Sequence, residues 1–366
     1  MRSGRDIAQA VDVREIVRPV ELTGADAADF RAAAEVGIRA RRHQWGDDDH
    51  SESLPEQYAR AADTAAERWR GWIAVDGAGG VLGLLTATLP LRENPTVARV
   101  DVVVDPDHQR RGVGSALMAV AEQDLRAAGR TVLTGLTETA GTGPWPDPVP
   151  ARSGAGAVPA DAPEVAFARR HGYVLEQVER LGRLDVPVAP ATLRAWSAAL
   201  PEHPDHELTA WSDAASDDTA ADYAQLKTAM STDVPLADLE QDEEDWDAGR
   251  VADEEAELAA GGGHRLVTAV RHLSTGRLVG HTVLERFDAR PAVAYQQDTL
   301  VLSAHRGHRL GMLLKIDNLR RLATAWPEVR RVYTWNAEEN TPVLAINVEL
   351  GFRQAGVVGA WQKRLS

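Results

Sequence analysis

The chain has 366 residues, no cysteine, and a formal net charge of −15 from 55 acidic against 40 basic residues. Without cysteine, disulfides, thiolate-ligated zinc and a thiol nucleophile are excluded. An acidic surface repels phosphate backbones at long range, so nucleic acid is not an expected partner. Hydrophobic residues make up 44% and charged residues 26%, a composition that can bury a core in each of the two domains this length suggests. No apolar run is long enough to cross a bilayer, and the first twenty residues hold no uninterrupted apolar stretch. The expectation is a cytoplasmic protein with no leader peptide and no membrane partner. Only Lys227, Lys315 and Lys363 are lysines; with the abundance of alanine, this reads as a GC-rich coding bias.

In chain order, Val81–Leu89 and Val97–Val104 read as a strand pair, followed by a helix with apolar periodicity at Val113–Ala128 and a strand at Thr131–Thr137. Ala140–Pro163 is rich in glycine, proline and alanine and reads as a flexible surface loop. A short helix, Ala166–His171, runs into a Gly172-Tyr173 corner and a last strand, Val174–Val186; Thr192–Leu200 then reads as a helix bridging two halves. The order recurs: strands Arg277–Glu285 and Ala292–Leu302, helix Leu310–Ala325, strand Arg330–Trp335, helix Val343–Leu350, corner Gly351-Phe352 and strand Gln354–Leu365. Laid over each other without a gap, Asp101 meets Asp298, Val104 meets Val301, His108 meets His305, Gly114 meets Gly311 and Leu117 meets Leu314. The same sequence of elements found twice indicates a duplication.

Gln109-Arg110-Arg111-Gly112-Val113-Gly114-Ser115 lies between a strand and a helix. The first N–H groups of a helix lack intrahelical partners and add to the positive end of its dipole, which suits a diphosphate. Gly112 and Gly114 let the backbone approach phosphate oxygens. There is no GxxxxGK[ST] and no complete GxGxxG, so a nucleotide triphosphatase and a dinucleotide fold fit less well. Standing alone, the loop could be a glycine turn that caps a helix; its repeated context favours the phosphate cradle.

Val104-Asp-Pro-Asp-His-Gln-Arg-Arg-Gly-Val-Gly-Ser-Ala-Leu117 resembles the acetyl-CoA-binding signature of the GNAT N-acetyltransferase superfamily, Q/R-x-x-G-x-G/A after a strand, and the whole chain resembles a tandem GNAT protein. The resemblance implies an α/β (α+β) fold of two GNAT-like domains, each a mixed, largely antiparallel sheet with a splayed central strand pair flanked by helices. The boundaries expected are 1–186, a linker at 187–204, and 205–366. It implies that acetyl-CoA, or another acyl-CoA, lays its pantetheine arm along the backbone of Val102, Val103 and Val104, and of Thr299, Leu300 and Val301. The second loop, Arg306-Gly307-His308-Arg309-Leu310-Gly311, departs from the pattern: Arg309 stands where the first has Gly112, and an extra glycine sits at 307.

Transfer to an amine requires removing a proton from an ammonium. In the family an acidic residue on the strand before the loop often serves as base, which implies Asp101 and Asp298. Apolar neighbours would raise such a carboxyl toward a working base; a solvated carboxylate, or one paired with an arginine, is the structural alternative. The family's tyrosine acid falls on Ala168 and Asn347, so neither half has it. Asn340 resembles the asparagine that bonds the cofactor arm, and equally an ordinary helix N-cap before Pro342.

Acceptor choice in the family comes from the early helices and their loop. In the first half this is His43–His50; in the second, Met230–Pro235 and an acidic run of Glu240, Asp242, Glu243, Glu244, Asp245 and Asp247 around Trp246. Carboxylates with an aromatic suit a cationic small-molecule amine, although a solvated helix face has the same composition. His43 and His50 beside Asp47–Asp49 are not completed into a metal site. The expected function is an acyl-CoA-dependent N-acyltransferase acting by direct transfer. An acyl-CoA sensor without turnover, and transfer to a protein or peptide amine, remain open beside it, as does the oligomeric state.

Overall fold

The computed structural model describes residues 11–365; residues 1–10, half of the segment read for a leader, and residue 366 lie outside the described residues. The chain runs β1 (Asp12–Ile16), α1 (Ala28–Trp45), α2 (Leu54–Arg60), β2 (Glu67–Val75), β3 (Val81–Pro90), β4 (Val97–Val104), α3 (Val113–Ala127) and β5 (Val132–Ala140). There follow β6 (Pro148–Pro150), β7 (Ala157–Pro159), α4 (Pro163–Arg170), β8 (Val174–Asp185) and α5 (Pro190–Ala198). The remainder is β9 (His206–Ser212), α6 (Asp217–Asp233), α7 (Ala248–Ala260), β10 (Gly263–His272), β11 (Leu278–Phe287), β12 (Val293–Val301), α8 (Leu310–Ala325), β13 (Arg331–Ala337), α9 (Thr341–Glu349) and β14 (Arg353–Arg364). The boundaries expected for the duplicated strands and for α3 and α8 hold to within three residues.

Local chemistry explains the ends. Ser53 and Glu56 form a reciprocal capping box at α2, and Asp247 caps α7 by accepting from the Arg250 amide at 2.8 Å. Each satisfies amides that the helix itself cannot. Along α3, Val113, Leu117, Met118, Ala121 and Leu125 are buried, one stripe at helical spacing.

The chain divides into two compact units. The first comprises the described residues up to Leu136, Ala168–Val174, and the end of the chain from Gln362. Its sheet has the order β1-β2-β3-β4-β5, antiparallel except for the parallel pair β4–β5. Leu84 packs into a core with Phe30, Val36 and Ile73, whereas a Cβ on its neighbour Gly83 would meet Val113 and Leu117. Successive strand residues face opposite sides, so α1 and α3 cover opposite faces.

The second unit comprises Thr137–Phe167 and Leu175–Trp361. Its sheet has the order β14-β8-β13-β12-β11-β10-β9, with β12–β13 the parallel pair. Leu266 and Leu284 pack on one face with Met312, Ile316 and Leu319 of α8, joined by Leu193 of α5. Val267 and Val283 pack on the other with Tyr223, Leu226 and Val251 from α6 and α7. β8, from the first half of the sequence, thus serves this unit's sheet, pairing antiparallel with β13 from Arg331↔Asp185 to Ala337↔Glu179.

Ala140–Pro163 lies mostly at the surface, as its composition suggests, but is not wholly irregular. It folds into the ribbon β6–β7, with Val158 fully buried and Ala151 and Ala162 nearly so. Its small residues are what lets it pack: a Cβ on Gly156 would come within 2.7 Å of Val178.

Candidate functional site

In the first unit the parallel pairing of β4 with β5 runs from Val97↔Val132 to Arg99↔Thr134 and stops there, while β4 continues to Val104. In the second, β12 pairs with β13 from Val293↔Arg331 to Gln296↔Thr334 and then continues alone to Val301. Arg99 and Gln296 are the same position of the repeat. Each unit therefore opens a fork at the same residue, exposing one strand's backbone groups for pairing with an extended ligand. The expected cofactor strands, Val102, Val103, Val104 and Thr299, Leu300, Val301, all lie beyond these openings. The forks differ in one respect: β12 carries a bulge where its register with β11 shifts between Thr282 and Leu284, opposite Asp298, whereas β3–β4 is regular past Asp101.

The loops that end the forked strands keep a common shape with exchanged residues. Arg110 and Gly112 are left-handed at φ 62° and 89°, as are Gly307 and Arg309 at φ 86° and 57°. Each loop thus has two left-handed positions, one held by glycine and one by arginine, in opposite order. Gln109 donates to the Val104 carbonyl at 3.3 Å and Arg306, its counterpart, to the Val301 carbonyl at 2.9 Å, bracing the loop on the strand end in both units. No atom lies within 4 Å of a Cβ built on Gly112 or Gly307, so both backbones border open space at the start of a helix. That is the room a diphosphate requires.

In the first loop Asp105 accepts from Arg39 of α1 at 3.1 Å and from the Asp107 amide at 3.0 Å, with His108 Nδ1 at 3.3 Å. Burial alone would raise this carboxyl; Arg39, the amide and His108 outweigh it and hold it below the usual range. Arg110 and Arg111 are exposed and make no ion pair among the described residues. Ser115 Oγ lies 3.0 Å from His171 Nε2 at the end of α4. In the second loop Arg306 and Arg309 are engaged by Asp233 at 2.8 Å and Glu349 at 2.5 Å. Arg309 therefore turns its side chain aside to a carboxylate.

The two aspartates differ in setting. Asp101 is half exposed, 3.8 Å from Arg41 of α1, so the arginine-paired alternative describes it. Asp298, 30% exposed, lies 3.3 Å from Lys227 of α6 and 4.0 Å from His281 Nε2. The expected raising of this carboxyl is not found. Burial pushes it up, but Lys227, His281 and Arg265 together hold it below the usual range. Lys227 also pairs with Glu254 at 2.8 Å, and Arg265 joins Glu254 at 3.0 Å to Glu285 at 2.6 Å. His281 is fully buried with neither ring nitrogen hydrogen-bonded, and burial pushes it down to about 4.

At the two positions of the family's tyrosine, Ala168 is buried and Asn347 is engaged on both sides. Lys315 of α8 donates to Asn347 Oδ1 at 2.8 Å, and Asn347 donates to Asn336 of β13 at 2.6 Å. Burial without a carboxylate pushes Lys315 down to about 7. Asn340 stands at the N-cap of α9 but makes no side-chain cap bond, which leaves its amide available to a ligand. Glu179 of β8 is pushed up to about 7, by burial and then by Glu339. Sequence reasoning missed Lys227, His281, Glu179 and Lys315.

On the acceptor side, His50 stacks on Trp45 at 4.1 Å and Arg42 binds Asp48 at 2.7 Å. The acidic run before α7 is irregular rather than helical. Trp246 is already taken, with the Lys227 ammonium 4.5 Å and the Arg250 guanidinium 4.4 Å from its ring. Among the described residues no group of three His, Asp or Glu side chains could hold a metal ion, and no helix is long and apolar enough to cross a membrane.

Comparison with known proteins agrees with this geometry. Residues 38–141 match the model of the acetyltransferase (GNAT) family. A tandem GNAT protein from the clavulanic acid biosynthesis pathway, solved without AcCoA, is similar over 97% of this chain and 98% of its own, at 25% identity and a TM-score of 0.72. A GCN5-related N-acetyltransferase from Sphaerobacter thermophilus shares the fold over 97% of this chain and 95% of its own, at 15% identity and a TM-score of 0.59. No curated protein sequence matches the chain.

Proposed function

We propose that this chain, a tandem protein of the GNAT superfamily, transfers the acyl group of an acyl-CoA, acetyl-CoA foremost, to the amine of a small molecule within a ternary complex. The observation that carries the reading is the pair of strand forks opening at Arg99 and Gln296, each leading into a loop with two left-handed positions and a helix start. A single glycine turn could cap any helix; a fork beside it, twice, has little other use. The residues proposed to hold the cofactor are the backbone of Val102–Val104 with the loop Gln109–Ser115, and the backbone of Thr299–Val301 with the loop Arg306–Gly311 and Asn340. When bound, the thioester supplies the activated acyl carbon.

The chain's own groups then handle position and protons. The ammonium first gives up one proton; the neutral amine nitrogen then attacks the acyl carbon, the carbon–sulfur bond breaks, and a second proton leaves the nitrogen for the departing sulfur or water. In the first unit Asp101 is the proposed acceptor of the first proton, half exposed and close to Arg41. Asp298 is proposed for the same place in the second unit, where Lys227 pairs with it and holds it ionised, which makes it a weaker base. With Ala168 and Asn347 in place of tyrosine, the sulfur departs as thiolate or takes its proton from water. Carboxylates at both forks support an amine acceptor, and a small one is supported by the similar tandem protein, which comes from the clavulanic acid biosynthesis pathway.

The second reading is an acyl-CoA sensor without turnover, favoured by Ala168 and by the Lys227–Asp298 pair. Release of free coenzyme A from acetyl-CoA with a panel of small amines separates the two. Calorimetric binding of acetyl-CoA with no release from any amine would replace the enzyme by the sensor. No binding at either loop would sink both.

A further inference from the structure

Histidines gather beside the second loop, unlike anything at the first. His206 opens β9 and stands across the register from His272 at the end of β10. His206 Nε2 is 3.1 Å from Nδ1 of His305, at the turn that enters the loop. The ring centre of His272 is 5.4 Å from that of His206 and 4.7 Å from that of His305. His308, inside the loop, is 6.2 Å from His206, and His203 is 6.5 Å from it. In the first unit His108, the counterpart of His305, leans on Asp105 at 3.3 Å; the second unit has Leu302 in that aspartate's place.

The surrounding charges are otherwise committed. Arg306 and Arg309 pair with Asp233 and Glu349, and Arg271, beside His272, lies 3.9 Å from Asp222. Asp205 favours the charged form of His206, and Glu207 follows it on β9. Against these, burial first and then the neighbouring imidazoles hold His203, His206 and His305 below the usual histidine range. Among the described residues no three donors are arranged for a metal ion.

We propose that this histidine cluster makes the second loop a proton-gated anion site, which holds a diphosphate or phosphomonoester ligand when its imidazoles have taken up protons and releases it when they are neutral. For coenzyme A as that ligand the proposal rests on the function proposed above. The sign is fixed by linkage: an anion stabilises imidazolium, so binding draws protons from solution and affinity rises as pH falls.

The test is calorimetry of the full chain with coenzyme A, and separately with inorganic pyrophosphate, in buffers of different ionisation enthalpy from pH 8 to pH 6. The expected result is a second-site affinity that tightens as pH falls, by up to about tenfold per pH unit for each proton taken up on binding, with net proton uptake. Both disappear in H206Q/H305Q and, as a second disruption against misfolding of the first, in H272Q/H308Q. A second-site affinity independent of pH, a pH dependence unchanged in both double variants, or no second site for either ligand overturns the proposal. Proton-linked pyrophosphate binding without any coenzyme A binding would keep the gated anion site and reject the acyl-CoA function instead.

Discussion

The Lys227 ammonium lies 3.3 Å from the Asp298 carboxylate, at the position of the repeat where Asp101 lies 3.8 Å from the Arg41 guanidinium. Both units thus bring a cation from an early helix to the aspartate of the forked strand. What differs is the surroundings: Asp101 is half exposed, whereas Asp298, 30% exposed, belongs to a partly buried network reaching Glu254, Arg265 and Glu285. Asp101→Asn is expected to lower acetyl transfer about a hundredfold or more, the usual contribution of a positioned base, with the acetyl-CoA dissociation constant unchanged. Steady-state turnover beside calorimetry checks this. Full turnover in Asp101→Asn would move the base elsewhere.

Lys227→Met removes the cation shared by Asp298 and Glu254 while keeping the length of the side chain. Asp298 and Glu254 are each 30% exposed, so leaving them uncompensated costs less than the about 3–5 kcal/mol of a fully buried pair, and the loss belongs in urea denaturation at pH 7. The sign of the pH dependence follows from Asp298, held below its usual range. Its stabilisation is present above the unfolded carboxylate pKa and disappears as pH falls through the lower folded value. The deficit of Lys227→Met should therefore be large at neutral pH and shrink in acid; a deficit that does not change with pH would contradict the pairing.

The fold was legible in the sequence because it is carried by periodicity and repetition: β4, the loop and α3 on one side, β12, the loop and α8 on the other. The chemistry around Asp298 was not, because its partners come from α6, α7, β10 and β11, up to 71 residues away, and no spacing rule links them. Lysine usage held one overlooked sign. All three lysines are largely buried: Lys227 and Lys363 pair with carboxylates, and Lys315 is lodged against Asn347. Within Ala140–Pro163 the ribbon β6–β7 was not legible, because small residues signal only a loop, yet at Gly156 they allow close packing.

Glu179 gives a prediction about stability. Its carboxyl is pushed up to about 7, first by burial and then by Glu339. The folded state therefore binds a proton that the unfolded chain has already lost, and stability falls as pH rises from the unfolded carboxylate value through about 7. Glu179→Gln keeps the neutral shape without the ionisation. It should melt several degrees above the wild type at pH 8 and close to it at pH 5. Equal melting temperatures at pH 8 would show that Glu179 ionises without cost in the folded protein.

The exchange of glycine and arginine between the loops predicts opposite outcomes for two substitutions. Gly112 has φ 89° with no atom within 4 Å of an added Cβ, so the Cβ of Gly112→Val meets no protein atom and the main folding cost is conformational, about 1–2 kcal/mol. The valine would, however, project into the space proposed for the diphosphate, and acetyl-CoA affinity at the first loop should weaken at least about tenfold, or 1.4 kcal/mol. Arg309→Gly acts in the other sense. It relieves a left-handed arginine at φ 57°, loses only an exposed pair with Glu349 worth about 0–1 kcal/mol, and bares the second loop. Stability should change little, while affinity at the second loop should hold or rise. Denaturant midpoints and calorimetric stoichiometry measure both, and a Gly112→Val protein with unaltered affinity would remove the first loop from the cofactor site.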